Sequence, residues 1–377
     1  MGMAATRRTR ASSGNNVLLL LAIGLVFSAA STTTPAVAAA ALNGSDDDIG
    51  AAARAAGLSV DFHAASCPDL DGIVRSAVEE ARRWDAQVTA GLLRIFFHDC
   101  FPQGCDASIL LGRNQGGSEQ DAPQNTGLQQ AALDLVERIR GRVHSRCGAS
   151  VSCADILALA TSHAVNQAGG PFIPMELGRS DSRGPAPGWA VNRLPPPTDG
   201  VSELLGNFGN RGLDGSDVVV LSGAHTVGVA RCSSFQDRID KKTGKDNFEW
   251  GLTGYCNGDK EKKHALDRTP FNFDNSYFVE LQNGRGVLTS DQALYRDGRT
   301  RWLVDRCASS QDEFFKRFVE SMLKLSRLRG ADPGPVRNNC FVRASFGASS
   351  ATKDDLVIDT TAGDGDGDED LILAAAA

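Results

Sequence analysis

The sequence predicts an all-α, mainly helical protein built as two lobes or two domains. Apolar residues recur at helical spacing along most of the chain, and period-2 alternation is almost absent, so little sheet is expected. At 377 residues the chain also exceeds what one compact core usually holds.

The helices can be placed in order. Ile73, Ala77 and Ala81 recur one turn apart, and Leu128, Ala132, Leu135 and Ile139 share a face in the same way. Cys153 to Val165 reads as a further apolar helix. Asp214 or Ser216 can cap a helix running through Val218, Val219 and Leu221 towards His225. From 312 to 328, Phe314, Phe318 and Met322 form one stripe, read as plain core. Pro- and Gly-rich connections fall at 169–171, 184–197 and 284–286, and no internal repeat is visible.

Both termini read differently from the body. Residues 1–40 have the pattern of a secretory signal: Arg7, Arg8 and Arg10 precede an apolar stretch from Val17 to Ala30, with mostly small residues through Ala41. That stretch is short for a membrane span, which needs about 20 residues. An exported chain that is free of the membrane after cleavage is therefore expected, with a retained anchor as the alternative. Residues 345–377 form an Ala-, Asp- and Gly-rich extension with no core-forming pattern. From Lys353 onward it carries eight acidic residues against one lysine, which equals the whole formal charge of -7. The body is close to neutral, which argues against a nucleic-acid partner.

Nine cysteines suit an oxidising compartment and disulfides, without the paired spacings of a zinc cluster. Asn43-Gly44-Ser45 is the one N-glycosylation sequon found. The run Asp364-Gly-Asp366-Gly-Asp368 superficially resembles a calcium loop, but Glu369 and Ala375 stand where an EF-hand needs Gly and Glu. Dinucleotide, P-loop, HExxH and G-x-S-x-G patterns are all missing.

The chemistry concentrates between Gly91 and Ser108. On a helix, Arg94 and His98 lie one turn apart on a shared face. A neutral imidazole beside a guanidinium is what heterolytic cleavage of a peroxide requires. The imidazole takes a proton from one oxygen and returns it to the other, while the fixed cation stabilises the charge on the leaving oxygen. Asp99, Asp106 and Ser108, with carbonyls between them, offer hard oxygen ligands suited to calcium.

This stretch resembles the distal-haem signature of the secreted plant (class III) haem peroxidases. The likeness continues through Val151-Ser-Cys153-Ala-Asp155, Leu177-Gly-Arg179, Leu194-Pro195, Leu221-Ser-Gly-Ala-His225-Thr226, Thr269-Pro270, Phe273-Asp274-Asn275, Ser290-Asp291-Gln292 and Val336-Arg337-Asn-Asn-Cys340, covering roughly residues 58–343. The resemblance implies a haem peroxidase domain over 57–344, with haem b between a distal and a proximal lobe. His225 would bind the iron and Asp291 would accept its other ring N–H, making the ligand more electron-donating. His98 would be acid and base, Arg94 the charge stabiliser, Asn125 the group orienting His98, and Phe97 and Pro195 part of the substrate pocket.

Two calcium ions are also implied. The distal one would take Asp99, Asp106 and Ser108 with the carbonyls of Pro102 and Gly104, and Glu119 through water. The proximal one would take Thr226, Thr269 and Asp274 with the carbonyl of Asn272. The family's remaining proximal aspartate falls on Leu266, followed by Asp267. Either the loop re-registers so that Asp267 binds, which is the favoured expectation, or this site is weakened. Family pairing implies Cys67–Cys147, Cys100–Cys105, Cys153–Cys340 and Cys232–Cys256, leaving Cys307 as a buried thiol. Asp155 and Arg179 match a buried ion pair. The family's Ser-Leu-Arg-Gly-Phe after the distal Asn is replaced by Thr126-Gly-Leu-Gln-Gln-Ala131, a change expected to affect local surface.

The function implied is reduction of hydrogen peroxide to water with one-electron oxidation of small phenolic donors. A monomer is expected, secreted to the cell wall or, given the extension, sent to the vacuole. The alternative is a secreted wall-binding protein that keeps the scaffold with little turnover. Intact Arg94, His98, His225 and Asp291 weigh against it.

Overall fold

The computed structural model describes residues 57–113 and 117–344. The signal pattern over 1–40, the Asn43 sequon and the extension 345–377 lie outside the described residues. The stripe through Ile73, Ala77 and Ala81 belongs to α1 (Leu70–Trp84), which turns Leu70, Val74, Ala77 and Val78 inward. α2 (Val88–Gln103) is buried along its whole length, the condition of a helix surrounded by others. α3 (Gln130–Cys147) and α4 (Cys153–Gln167) pack with both and complete a first helical group. The hydroxyl of Ser152 accepts from Asp155 N at 3.1 Å and so starts α4.

A second group follows the short α5 (Gly188–Val191) and α6 (Val201–Gly209). α7 (Gly215–Ser222) opens with a capping box: Asp214 Oδ1 accepts from the amides of Ser216 and Asp217, while Asp217 Oδ2 accepts from that of Asp214. The helix gives way to a 3₁₀ turn, Gly223–Thr226, that carries His225. β1 (Val229–Arg231) and β2 (Lys263–Ala265) pair antiparallel, with Ala230 opposite His264. They make the one two-stranded sheet among the described residues. α8 (Gln236–Asp240) and α9 (Asn247–Cys256) lie between the two strands in sequence. α10 (Ser276–Gln282), α11 (Thr289–Arg296), α12 (Gly298–Ser309) and α13 (Gln311–Ser326) complete the group.

The stripe Phe314, Phe318 and Met322 is buried core. Phe314 meets Phe273 and Phe278 at ring centroid distances of 5.6 and 4.9 Å. α13 also packs against α2, joining the two groups.

Disulfides link Cys67–Cys147, Cys100–Cys105, Cys153–Cys340 and Cys232–Cys256. The third closes 187 residues of sequence, a loop whose closure is worth about 5 kcal/mol in the chain-entropy picture. Cys307 is free and buried, and burial pushes its thiol up to about 12. Asp155, fully buried, accepts from Arg179 Nη1 at 3.0 Å, His63 Nε2 at 2.9 Å and Gly178 N at 2.8 Å, so its charge is well compensated. The other peripheral histidines are also satisfied: His163 meets Asp71 at 2.9 Å, His144 the Val151 carbonyl at 3.0 Å, and His264 the Ala265 carbonyl at 2.6 Å.

Candidate active site

α2 places Arg94 and His98 on one face, and both line a cavity of about 420 Å³, within the range of small-molecule and cofactor sites. Its opposite walls come from Pro195 and its neighbours, from Ala230 and Arg231 just after the His225 turn, and from Leu266 and Leu288. A second cavity of about 740 Å³ shares Arg231 with the first and is bordered by Asn125.

His98 Nδ1 lies 2.6 Å from Asn125 Oδ1. An amide oxygen only accepts, so Nδ1 carries the ring hydrogen and Nε2 keeps a free lone pair. Nε2 is buried and has no protein partner. Asn125 is held in turn: its Nδ2 donates to the Glu119 carbonyl at 2.7 Å. Burial first, and the Arg94 cation second, push His98 down to about 3, so the imidazole stays neutral at ordinary pH. Arg94 Nη2 donates to the carbonyls of Gln124 at 3.0 Å and Thr126 at 3.1 Å, leaving Nε and Nη1 without partners. Burial lowers Arg94 to about 9, still a cation at neutral pH.

His225 is not among the residues lining this cavity; it is fully buried and its Nδ1 donates to Asp291 Oδ1 at 2.7 Å. Its Nε2 has no protein partner. Asp291 Oδ1 also accepts from Tyr277 Oη at 2.9 Å, and Oδ2 accepts from Leu288 N at 3.1 Å. Two buried imidazoles thus each present an unpaired Nε2. A buried polar atom without a partner is costly unless something else satisfies it, and an iron porphyrin held through His225 would satisfy that nitrogen, with His98 left to act on a bound oxidant.

Of the expected substrate residues, Pro195 lies on the cavity wall. Phe97 is not on that wall, but its ring stands edge-on to His98 at 6.1 Å and stacks on Phe101 at 4.8 Å.

The distal oxygen set converges beyond the end of α2. Asp99 Oδ2 accepts from the amides of Asp106 at 3.1 Å and Ala107 at 3.0 Å, leaving Oδ1 buried and unpaired. Ser108 Oγ and Glu119 Oε2 are likewise buried without partners. Glu119 Oε1 takes the Ala186 amide at 2.7 Å. Burial raises Asp99 well above the usual carboxylate range, Asp106 to about 6 and Glu119 to about 7. Crowded acids short of hydrogen-bond donors suit a divalent cation. The Pro102 carbonyl already accepts from Arg193 Nη1 at 3.0 Å. Gly104 takes φ +113°, and a Cβ there would come within 1.9 Å of the Arg329 carbonyl oxygen, so only glycine closes this loop.

The proximal set also gathers, and Asp267 takes part in it. Thr226 Oγ1 donates to Asp267 Oδ2 at 2.7 Å and lies 3.2 Å from Asp274 Oδ1. Thr269 Oγ1 is 3.2 Å from Asp274 Oδ1, and its amide donates to Asp267 Oδ1 at 2.7 Å. Burial raises Asp267 to about 7. Leu266 instead lines the main cavity. Asn272, which is exposed, donates its amide to the Thr269 carbonyl at 2.8 Å. Among the described residues no three or more His, Cys, Asp or Glu side chains converge as a metal cluster, so an ion at either place would lean on hydroxyl and carbonyl oxygens.

Three residues with evident roles had no reading of their own in the sequence. Tyr277 reaches Asp291, Arg231 lines both cavities, and Arg337, buried, donates from Nη2 to the Ala107 carbonyl at 2.6 Å behind Asp99 and Asp106. Tyr277 and Arg231 stand at no spacing that would mark them, and Arg337 falls within the Val336–Cys340 motif without a role given there.

A helical fold that buries one histidine held by an asparagine, and another held by an aspartate, defines a haem peroxidase. The peroxidase family description, "Peroxidase", matches residues 74–310. The chain is 44% identical over 305 residues to cationic peroxidase SPC4 of Sorghum bicolor, covering 78% of this chain and 84% of that one. It is 40% identical over 296 residues to peroxidase 12 of Arabidopsis thaliana (76% and 83%), and 40% identical over 297 residues to peroxidase 47 of the same plant (78% and 90%). The chain belongs to the peroxidase family and is a haem-dependent enzyme, an oxidoreductase acting on hydrogen peroxide. The wall-binding alternative finds no support in these likenesses.

Proposed function

We propose that the chain reduces hydrogen peroxide to water at His98 and Arg94 and oxidises small phenolic donors at the cavity mouth beside Pro195. The observation that carries this reading is the lone pair on His98 Nε2, fixed by the 2.6 Å contact between Nδ1 and Asn125. Haem b, held through His225 Nε2, would supply the redox chemistry. His98 Nε2 would take a proton from one peroxide oxygen and deliver it to the other, which leaves as water as the O–O bond breaks, the haem supplying the two electrons needed. The unpaired Nε and Nη1 of Arg94 stabilise the negative charge that develops on that departing oxygen. Asp291 holds the His225 ring and raises its donor strength.

Two calcium ions are part of the proposal. Asp99, Asp106 and Ser108, with the Pro102 and Gly104 carbonyls and Glu119 through water, would hold the distal one. Thr226, Asp267, Thr269, Asp274 and the Asn272 carbonyl would hold the proximal one. The domain would run from 57 to 344, with residues 1–40 removed on export and 345–377 a processed extension. In this reading the mature chain is a monomer of the cell wall, or of the vacuole if the extension acts as a sorting signal. None of the helices among the described residues is long and apolar enough to cross a membrane.

The test is a haem titration followed by a phenol assay. The purified chain should bind one haem with a Soret band and oxidise a simple phenol only when peroxide is added. His225→Ala should lose the band. Normal pigment and turnover in that variant would refute the assignment.

A further inference from the structure

We infer that Tyr277 is a positioning residue that sets the donor strength of the proximal histidine, by sharing the Asp291 oxygen to which His225 is bound. The inference rests on the reading of His225 as the haem ligand and goes beyond it.

Tyr277 comes from the first turn of α10 and is buried, with 1% of its surface exposed. Its ring stands edge-on to that of His225, with centroids 5.9 Å apart. The hydroxyl donates to Asp291 Oδ1 at 2.9 Å, the same oxygen that accepts from His225 Nδ1 at 2.7 Å. Asp291 Oδ2 is taken separately by the Leu288 amide. The carboxylate therefore accepts three hydrogen bonds, two of them on one atom.

A carboxylate oxygen with a second donor has less negative charge to offer the first. The Tyr277 hydroxyl thus weakens the pull of Asp291 on the His225 ring hydrogen and keeps Nε2 a poorer donor than Asp291 alone would make it. What the phenol adds is the bond to Asp291. Donors around a metal-bound histidine are a recognised means of tuning the metal.

The experiment uses the haem-loaded enzyme in three forms: wild type, Tyr277→Phe, and the chain with a ring-fluorinated tyrosine at 277. The fluorinated ring keeps the shape and donates a stronger hydrogen bond. Spectroelectrochemistry reads the iron midpoint potential, and resonance Raman reads the iron–histidine stretch of the reduced protein. Tyr277→Phe should shift the potential to more negative values and the stretch to higher frequency. The fluorinated residue should shift both in the opposite directions. Haem-loaded variants that match the wild type in both readouts, or that shift in the same direction, overturn this inference alone. A wild-type chain that takes up no haem overturns the reading of His225 as well. Because the fluorinated residue preserves packing, the question stays decidable even if Tyr277→Phe folds poorly.

Discussion

His98 Nδ1 and Asn125 Oδ1 are 2.6 Å apart, and the same amide group is tethered through Nδ2 to the Glu119 carbonyl at 2.7 Å. The asparagine therefore fixes which imidazole nitrogen bears the hydrogen, and the Glu119–Asn125 segment fixes the asparagine. Asn125→Val should leave haem binding unchanged while slowing the reaction with peroxide about 10–100-fold, the usual cost of losing a group that orients a catalytic one. Stopped-flow recording of the Soret change gives the rate constant. A variant as fast as the wild type would remove Asn125 from the mechanism.

Arg94 has two separable effects. It offers two unpaired nitrogens, Nε and Nη1, to the cavity, and it stands second, after burial, among the causes that hold His98 down to about 3. Arg94→Gln should slow the peroxide reaction about 10²–10³-fold, the scale for removing one charge-stabilising donor. Removing a neighbouring cation raises an imidazole, so His98 would begin to protonate at higher pH and lose its lone pair there. The acid limb of the rate profile should move upward in pH relative to the wild type. An unmoved limb would mean that Arg94 does not act on His98 electrostatically.

Much of this was legible in the sequence, and the parts that were not share a cause. Helical periodicity announced α1, α3 and α13 because each buries one face, which an apolar stripe records; α4 showed instead as a continuous apolar run, and Cys153 to Val165 are all buried. The Arg94–His98 pair could be read because one helical turn fixes their relation. Tyr277 and Asp291 lie 14 residues apart on different helices, so no spacing rule joins them. Arg231 is positioned by long-range packing, which leaves no local mark, and the motif around Arg337 does not reveal its reach to the Ala107 carbonyl. Phe97 was placed in the pocket by the resemblance alone; its ring meets that of His98 at 6.1 Å and stacks on Phe101 at 4.8 Å.

Unpaired oxygens on Asp99, Ser108 and Glu119 make calcium the next measurable quantity. The wild-type chain should hold two ions per molecule by elemental analysis, and Asp267→Ala should hold one, because Asp267 bonds both Thr226 and Thr269 in the proximal cluster. Complete chelation should lower both activity and the melting temperature, since an ion bound only by the folded state stabilises it. Full activity after verified removal of both ions would show that neither supports the site.

Cys153 and Cys340 close the longest disulfide loop, tying the start of α4 to the end of the described chain. Cys153→Ser with Cys340→Ser should lower stability by about 5 kcal/mol at most, with native-state relaxation reducing the loss. Denaturant titration measures the difference. An alkylating reagent should form no adduct at Cys307 in the folded protein, because that thiol is buried and pushed up to about 12. Alkylation before and after unfolding separates it from the paired cysteines.

His163 gives a pH-dependence with a definite sign. It is buried against Phe172, pairs with Asp71, and has Arg75 nearby. Burial is the largest influence and lowers it below the ordinary histidine value, despite the opposing pull of Asp71. In the unfolded chain the same imidazole returns to about 6.5. As pH falls through that value, the unfolded state binds a proton that the folded state resists, so stability is lost on acidification and regained towards neutrality. Raised carboxylates such as Asp106 and Glu119 act in the opposite sense, so the comparison is between wild type and variant across the same pH series. His163→Gln cannot take up that proton in either state. Its melting temperature should fall less than that of the wild type between about pH 7.5 and pH 5. Parallel curves for the two proteins would show that His163 contributes nothing to acid sensitivity.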